Sequence, residues 1–426
     1  MRRAPFLAVM LLLAAGCGAA DDRTEVVFWG MGREGEVVAE LVPAFEAEHP
    51  GIRVRVQQIP WSAAHEKLLT AYVGGSVPDV AQLGNTWVPE LAALDALTPL
   101  DDLVAATPGL DSADVFRGIW DTNVVGGTLY GLPWYVDTRL LFYRESALAA
   151  AGAAAPPETW AAWRATMARI SEPDAGRYAL FAPLNEWTLP VVLGMQAGSS
   201  LLRDGDRYGD FRGPAFRRAF AFLQSLYRDG LAVPPSAQST NLYQEFARGD
   251  FAMVVTGPWN LGEFRARLPD SLQADWATAP LPGPDGPGAS TAGGSSLVVF
   301  RGAEQPEAAW AFAAYLARPD VQATFYEKTG SLPARISAWR LAGLEADPRT
   351  RAFAAQLRRA QPTPAIPEWE RVATLVMRYA EAAARGALTE DEALAALDRD
   401  VDALLEKRRW LLARAADARA EDAAGA

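Results

Sequence analysis

The sequence predicts an α/β protein built from two lobes. Strand and helix patterns alternate over 25–82, the middle over 140–275 is mostly helical, and the alternation returns over 297–316. A chain of 426 residues is too long for one ordinary core, since domains hold roughly 100–200 residues each. The return of α/β character indicates that the chain enters one domain twice, as in two discontinuous lobes joined by a hinge.

The first 82 residues carry the clearest alternation. Hydrophobic spacing predicts strand, helix, strand, helix and strand over residues 25–29, 37–45, 53–56, 64–72 and 78–82. Glycine and proline separate these runs, as expected of turns. Ligands of open α/β sheets bind beyond the carboxyl ends of the strands. The residues after Trp29 and after Gln82 are therefore expected at one rim.

In the remainder of the chain, the hydrophobic pattern predicts mostly helices and a few strands. Phe216 and Tyr227 share the apolar stripe of one predicted helix. Two further strands and a helix are predicted over 251–255, 297–300 and 306–316. Thr389 and Glu392 form a capping-box pattern. They therefore mark the start of a long helix, predicted to run to about residue 418.

The charge and the rarity of cysteine and histidine exclude several functions. Asp+Glu number 52 against 40 Lys+Arg, which gives a formal net charge of −12. Nucleic acids and anionic lipids are bound by clustered basic residues, so neither is an expected partner. One Cys and two His exclude a disulfide within the monomer and a Cys-rich zinc site. No metal and no cofactor are predicted.

Catalysis has little support in the residues. His65 lies beside Glu66 in a helical stretch, where a solvated helix face is predicted, and His49 stands at a helix end. The segment from Gly30 to Gly35 lacks the full dinucleotide-binding fingerprint. Glycoside hydrolysis requires only two carboxylates about 5–10 Å apart, which the 52 acidic residues leave open. No catalytic residue is predicted.

The amino terminus has the organisation of an export signal. Arg2 and Arg3 precede a short apolar run from Pro5 to Leu13. The run is shorter than the roughly 20 residues that span a bilayer, and a short apolar run behind a positive start is typical of a signal peptide.

The small residues at 14–16, directly before the lone cysteine, resemble the lipobox of bacterial lipoproteins. The resemblance implies a signal peptide over 1–16, a lipidated Cys17 and a tether over 17–24. Two or more acyl chains hold a protein firmly at a bilayer, whereas one is marginal. The protein is then expected in the cell envelope, on the outer face of the cytoplasmic membrane. The alternative is an ordinary secretory signal cut near Ala19.

Aromatic residues stand beside polar residues in several loop contexts. Trp134, Tyr135 and Asp137 lie close together, and an indole face with a carboxylate suits a polyol. The similar clusters are Asn85-Thr86-Trp87, Asn185-Glu186-Trp187 and Trp259-Asn260. A single tryptophan is more often packed in a core, but this repetition among 14 Trp favours a carbohydrate cleft.

The chain resembles, over about 25–385, the sugar-binding proteins of ATP-driven importers, the maltose/trehalose-type solute-binding family. The segments that carry the resemblance are VVFWG at 26–30, VPDV at 77–80, GTLYGLP at 127–133, FARGDFAM at 246–253, GPW at 257–259 and TGSLPAR at 329–335. The resemblance implies a two-lobed periplasmic-binding-protein (type II) fold. Such a protein is a monomer that closes around a sugar, does no chemistry, and docks on a membrane permease driven by ATPase subunits.

The resemblance also implies, position by position, where the ligand is held. The implied ligand-binding residues are Arg33, Glu34, Asn85, Thr86, Trp87, Trp134, Tyr135, Asp137, Asn185, Glu186, Trp187, Trp259, Asn260, Gly294, Ser295 and Arg335. A late tryptophan of some members has no match in register, with Trp369 nearby, so the identity of the sugar is not set.

The implied lobes are discontinuous. The N-terminal lobe is expected over 25–134 plus 297–332, and the C-terminal lobe over 135–296 plus 333–426. Three other functions remain open at this point. A receptor for a polyamine, peptide or phosphodiester would have clustered unpaired acids or bases in its cleft, a glycosidase would release sugar, and a sensing subunit would report to a membrane receptor.

Overall fold

The computed structural model describes residues 22–237 and 241–425. The predicted signal over 1–16 and the lipidation site Cys17 lie outside the described residues. None of the helices in the described ranges combines the length and the hydropathy that a bilayer-spanning segment requires.

The strands of the described chain form two main sheets and three two-stranded pairs. In chain order they are β1 (Thr24–Met31), β2 (Ile52–Ile59), β3 (Val80–Gly84), β4 (Val124–Val125), β5 (Thr128–Leu129), β6 (Leu132–Asp137), β7 (Leu140–Arg144), β8 (Tyr178–Phe181), β9 (Leu202–Arg203), β10 (Tyr208–Gly209), β11 (Phe251–Thr256), β12 (Trp276–Ala279), β13 (Ser290–Thr291), β14 (Gly293–Val299) and β15 (Ala360–Gln361).

The helices pack on both faces of these sheets. In chain order they are α1 (Gly32–Glu48), α2 (Trp61–Val73), α3 (Val88–Ala93), α4 (Asp101–Ala106), α5 (Arg117–Asp121), α6 (Glu145–Ala150), α7 (Trp160–Ile170), α8 (Thr188–Gln196), α9 (Pro214–Arg228), α10 (Leu242–Arg248), α11 (Trp259–Arg267), α12 (Pro306–Leu316), α13 (Pro319–Thr329), α14 (Ile336–Leu341), α15 (Pro348–Leu357), α16 (Trp369–Ala384), α17 (Glu390–Leu404) and α18 (Glu406–Gly425).

The first sheet has the strand order β2-β1-β3-β14-β6. Its first three strands are parallel, and β14 runs antiparallel to β3 and β6. The three strands predicted before residue 82 are therefore confirmed. Phe28 of β1 is fully buried and packs edge-on against Trp134 and Phe312. Helices cover both faces of this sheet, which explains why most residues of its central strands are buried.

The second sheet has the strand order β12-β7-β11-β8. The strand β7 is antiparallel to β11 and β12, and β8 is parallel to β11. Alternate residues of β7 face opposite cores, with Phe142 in one and Leu141 and Tyr143 in the other. The middle of the chain, predicted as mostly helical, therefore also supplies a complete sheet.

The two sheets are connected by segments that run side by side. The strand β6 carries the first sheet to Asp137, and only two residues separate it from β7 of the second sheet. The Val136 amide donates to the Leu332 carbonyl at 2.8 Å, so a later connection lies against β6. Gly294 has a φ of 129°, and a Cβ there would lie 2.1 Å from the Tyr135 carbonyl oxygen. Only glycine allows this approach of β14 to β6.

The predicted capping box is confirmed at the start of α17. The Thr389 hydroxyl accepts from the Glu392 amide, and the Glu392 carboxylate accepts from the Thr389 amide. The single long helix predicted from there is instead two helices, α17 and α18, divided at Leu405. Leu405 is fully buried, and Arg408 donates to the Asp206 carbonyl at 3.0 Å. These contacts hold the junction against the rest of the protein.

Candidate ligand-binding cleft

A cleft of about 1020 Å³ is lined by residues of both main sheets and their helices. Its walls include the end of β3, the adjoining ends of β6 and β14, and residues of α8, α11 and α16. The predicted site residues that line it are Arg33, Glu34, Asn85, Thr86, Trp87, Tyr135, Asp137, Trp187, Trp259, Gly294 and Ser295. Most of the site residues predicted from the sequence therefore lie together in the lining of this one cleft.

The segment after β3 provides the first wall. Asn85, Thr86 and Trp87 form one 3₁₀ turn directly beyond the strand. Asn85 is buried, and its Nδ2 donates to the Ala292 carbonyl at 3.0 Å, so it holds the loop together. The Thr86 hydroxyl donates across the cleft to the Glu370 carboxylate of α16. The two sides of the cleft are thus in direct contact at this point.

Two tryptophans form the rim of this wall. Trp61 begins α2 directly after β2, is 39% exposed, and packs edge-on against Trp87 at 5.7 Å between ring centroids. Trp61 was not predicted from the sequence, although it lies just beyond the carboxyl end of β2, as the predicted Asn85 does beyond β3. Applying the rim rule to every parallel strand would have found it.

His65 packs against Trp87 and is not itself part of the cleft lining. Its ring lies 5.0 Å from the Trp87 ring, and its Nε2 lies 2.7 Å from Glu90 Oε2. The hydrogen bond to Glu90 raises the pKa of His65 against the opposing effect of burial. The predicted solvated helix face is therefore only part of the arrangement: the His65 side chain is 33% exposed, and it also contacts Trp87 and Glu90.

The floor of the cleft is polar and buried. The Gln82 Nε2 donates to the Tyr135 hydroxyl at 3.0 Å and to Ser295 Oγ at 3.3 Å, while its Oε1 accepts from the Met31 amide at 2.7 Å. Burial raises the pKa of Tyr135 well above its usual value. The phenol therefore stays neutral and offers a hydroxyl group to a ligand.

A charged group of three residues lies at the end of β6. Arg139 Nη1 donates to both oxygens of Asp137 at 2.8 and 3.0 Å, and Arg139 Nη2 donates to Glu186 Oε2 at 3.1 Å. Burial raises the pKa of Asp137, and this effect exceeds the lowering by Arg139. Asp137 can nevertheless accept hydroxyl hydrogens of a ligand, since a carboxylate offers about four lone-pair sites.

Trp259 covers this charged group. The Arg139 guanidinium lies 4.5 Å from the centre of the Trp259 ring, a cation–π arrangement. A Cβ on Gly257 would lie 2.0 Å from the same ring, so the indole is seated directly on the backbone at that glycine. Trp259 remains 46% exposed. One side of the ring is held by the protein while much of the indole stays accessible in the cleft.

A third part of the wall was not predicted. Tyr243, Glu263 and Arg267 line the cleft, with the Arg267 guanidinium 5.0 Å from the Tyr243 ring and its Nε paired with Glu263. Glu263 and Arg267 face the same direction because they are four residues apart on α11. No local sequence signal distinguishes this pair from an ordinary surface ion pair.

Several predicted site residues do not line the cleft. Trp134 is fully buried, with its ring 4.4 Å from that of Phe325, because neighbouring residues of a strand point to opposite faces and Tyr135 takes the cleft side. Asn260 is buried and accepts from the Tyr243 hydroxyl at 2.9 Å. It therefore supports a lining residue rather than lining the cleft itself.

The remaining three predicted residues lie behind or away from the walls. Glu186 binds Arg139, as described, and its neighbour Asn185 is exposed outside the cleft lining. Arg335 is buried, and its Nε donates to Asp114 Oδ2 at 2.7 Å. It borders a separate groove of about 580 Å³. Its charge is already fully engaged within the protein, so it is not available to a ligand in the cleft.

The arginines of the cleft lining are all paired with carboxylates. Arg33 donates to Glu36 at 3.0 Å, Arg139 to Asp137 at 2.8 Å, and Arg267 to Glu263. The described residues contain no group of three or more His, Cys, Asp or Glu that could hold a metal ion. The cleft therefore offers aromatic faces, hydroxyls and carboxylate oxygens.

Comparisons with known proteins agree with this geometry. The sequence model of the family described as "Bacterial extracellular solute-binding protein" matches residues 40–352. The solved structure of the sugar-binding protein MalE from Xanthomonas citri is 48% identical, with a TM-score of 0.88, over 91% of this chain and 99% of that one. This likeness confirms the two-lobed α/β fold predicted from the sequence.

Two curated relatives extend the likeness. The diacetylchitobiose-binding protein DasA of Streptomyces coelicolor is 25% identical over 86% of this chain and 88% of its own length. An uncharacterised lipoprotein of Streptomyces antibioticus is 30% identical over 74% of this chain and 72% of its own length. Both matches span most of each chain, so they concern the whole architecture rather than one segment.

Proposed function

The chain belongs to the bacterial extracellular solute-binding proteins, and from that membership we propose that it is the carbohydrate receptor of an ATP-driven importer. It binds a disaccharide or an oligosaccharide in the cleft and passes it to a membrane permease. It is a binding protein and not an enzyme. The names of two of these relatives, MalE of Xanthomonas citri and DasA, specify a sugar and diacetylchitobiose as their ligands, and the proposal carries these ligand classes over to this chain.

The placement of aromatic rings and acceptors on both sides of the cleft carries the proposal. Trp61 and Trp87 stand on the side of the first sheet, Trp259 stands opposite beside the second sheet, and Asp137 and Tyr135 lie on the floor between them. Indole faces pack on the C–H surfaces of a sugar, and carboxylates accept its hydroxyl hydrogens. Hydrogen bonds to a charged acceptor contribute about 1.5–3 kcal/mol each.

The pairing of charges argues against an anionic or peptide ligand. Recognition of a phosphodiester or a carboxylate relies on free arginine or lysine groups, whereas Arg33, Arg139 and Arg267 each have a carboxylate partner. A neutral polyol can use the outer lone pairs of these carboxylates without separating any ion pair. The internal pairing therefore favours a neutral sugar.

Titration calorimetry on the full chain, purified in mild detergent, tests the proposal. The sugar panel is maltose, trehalose, cellobiose and diacetylchitobiose, and the non-sugar panel is putrescine, glycerol 3-phosphate and trialanine. We expect saturable heat with at least one sugar and none with the charged solutes. Binding confined to the charged solutes would contradict the proposal.

The membrane anchor is part of the same proposal. It is supported by the small residues before Cys17 and by the lipoprotein relative of Streptomyces antibioticus. We expect the wild-type chain to incorporate labelled palmitate and to sediment with membranes, and Cys17→Ser to abolish both. A Cys17→Ser chain that still sediments with membranes would contradict lipid anchoring.

The last part of the proposal is that the two lobes rotate about the segments that connect them and close on the bound sugar. The lobes comprise the first sheet with its helices and the second sheet with its helices, and the short link between β6 and β7 is one connection at the hinge. The Thr86–Glu370 contact already joins the two sides across the cleft. Small-angle scattering with and without the bound sugar measures the closure as a decrease in the radius of gyration.

A further inference from the structure

Arg139 is a buried, charged residue of the cleft, and the sequence did not predict it as a site residue. It lies in the two-residue link between β6 of the first sheet and β7 of the second. Its backbone amide donates to Ser290 Oγ at 3.1 Å, which fixes the link against the start of β13. Its side chain is only 13% exposed although it carries a full charge. The residue is therefore held at both its backbone and its side chain.

The guanidinium contacts three separate walls of the cleft at once. Nη1 binds both oxygens of Asp137 on the first sheet, and Nη2 binds Glu186 Oε2 at 3.1 Å and lies 3.4 Å from Thr188 Oγ1 at the start of α8. The carbon of the same guanidinium lies over the ring of Trp259, at the start of α11. No other arginine of the described cleft lining has contacts to three elements of this kind.

We propose that Arg139 is a positioning residue for sugar binding, which fixes Asp137 and Trp259 in the geometry that a ligand meets without contacting the ligand itself. This inference rests on the proposed carbohydrate function and deepens it. Lysine cannot replace this group, since only a guanidinium binds two carboxylates through separate nitrogens while its carbon lies over an aromatic face.

The buried Nε of Arg139 supports a role within the protein rather than toward the ligand. Among the described side chains it is one of the few buried polar atoms without a hydrogen-bond partner. Such an atom costs free energy, so the remaining contacts must determine where the guanidinium lies. Those contacts are the two carboxylates and the Trp259 ring that covers the group.

A second arginine offers a matched control. The Arg349 guanidinium lies 3.9 Å from the Trp276 ring and donates to the Trp276 and Gln273 carbonyls. This arrangement also stacks an arginine on a tryptophan, but Arg349 is outside the cleft lining. Removing Arg349 therefore reports the cost of losing a stacked arginine without any effect on the ligand site.

The first experiment needs no ligand. The chain is labelled with 5-fluorotryptophan, and the ¹⁹F resonance of Trp259 is assigned by its loss in Trp259→Phe. We expect Arg139→Met and Arg139→Lys to shift or broaden that resonance, and Arg349→Met to leave it unchanged. An unaltered Trp259 resonance in Arg139→Met would overturn the inference whether or not the protein binds sugar.

The second experiment measures affinity for the sugars of the panel named above by calorimetry between pH 3 and pH 8. We expect Arg139→Met to weaken binding by about tenfold or more, because charge-assisted bonds that orient an acceptor are lost. Binding should also decline at a higher pH than in the wild type, because Asp137 then lacks its cationic partner while Glu186 remains nearby. Arg139→Lys should restore this pH dependence in part but not the Trp259 resonance.

The outcomes separate the two proposals. If the wild-type chain binds none of the sugars, the carbohydrate function fails, and the fluorine spectra still decide the role of Arg139. If the wild type binds a sugar and Arg139→Met binds it equally well with the same pH profile, the inference fails and the function stands. Equal losses of affinity in Arg139→Met and Arg349→Met would also overturn it, since a general loss of packing would then suffice.

Discussion

Two buried arginine–aspartate pairs in this protein have different roles. Arg335 is bound to Asp114 beside a groove away from the cleft, and Arg139 is bound to Asp137 on the cleft floor. Arg335 also donates to the Gly109 carbonyl at 2.5 Å. In the second pair, Asp137 lines the cleft, and the Trp259 indole over Arg139 remains 46% exposed. One pair is completed by the protein, and the other keeps bonding capacity for a ligand.

The pKa values of the two aspartates, Asp114 and Asp137, are shifted in opposite directions. Burial raises the pKa of Asp114, but bonds from Ser337 and Arg335 outweigh it, so the pKa lies below its ordinary value. Burial raises the pKa of Asp137, and Arg139 does not fully offset it. An ion pair therefore identifies a structural site when every acceptor is satisfied, and a candidate ligand site when acceptors remain open.

The largest effect on stability is expected from Arg335→Met. Breaking a buried ion pair leaves Asp114 without its cation, which costs about 3 kcal/mol of unfolding free energy. The urea midpoint should fall clearly, while sugar affinity of the folded protein stays within about twofold of wild type. A loss of affinity with unchanged stability would reverse the roles assigned to the two pairs.

Trp259→Ala should have the largest effect on binding. Removing the indole takes away one aromatic wall, and we expect affinity to fall more than about tenfold, or 1.4 kcal/mol. Because the ring is 46% exposed, the melting temperature should change little. The control is Trp410→Ala, which removes an indole that is 55% exposed on α18 outside the cleft lining and should leave affinity intact.

Acidification should separate binding from stability. Asp137 has a raised pKa and takes up a proton as the pH falls, before an ordinary aspartate does, so sugar affinity should decline first. Asp114 has a lowered pKa, so its stabilising pair persists until the pH falls through that lower value. Calorimetry and urea midpoints from pH 7 to pH 3 measure both. Asp137→Asn should flatten only the binding curve.

The smallest effect is expected from Gly257→Ala. The added Cβ would lie 2.0 Å from the Trp259 ring and must displace it from Arg139. We expect a loss of about 0.5–1.5 kcal/mol of binding free energy, the size of one aromatic contact, with the fold intact. Gly51→Ala is the control, because its Cβ would meet nothing within 4 Å and Gly51 is outside the cleft lining. Unchanged affinity in Gly257→Ala would show that the stack on Arg139 is dispensable.

Loop residues beside strand ends were the predictable part of the cleft. Asn85 to Trp87 and the first turn of α1 follow parallel strands, and topology places such residues at one rim. Trp134 was assigned to the cleft although it faces the core, because the motif does not reveal which alternate residue of a strand faces inward. Arg139 was missed because the partners of its side chain are up to 120 positions away in the chain, as Trp259 is.

The sequence by itself determined the α/β class, the family and the capping box of α17, because each depends on residues close together in the chain. Only the tertiary structure decided which charges are already paired. Arg335 pairs with Asp114, 221 positions away, whereas Arg139 pairs with Asp137, two positions away, and with Glu186, 47 positions away. A binding site depends on the hydrogen-bonding groups that the folded protein leaves available to a ligand. Which groups these are is decided only when segments that are distant in the sequence come into contact.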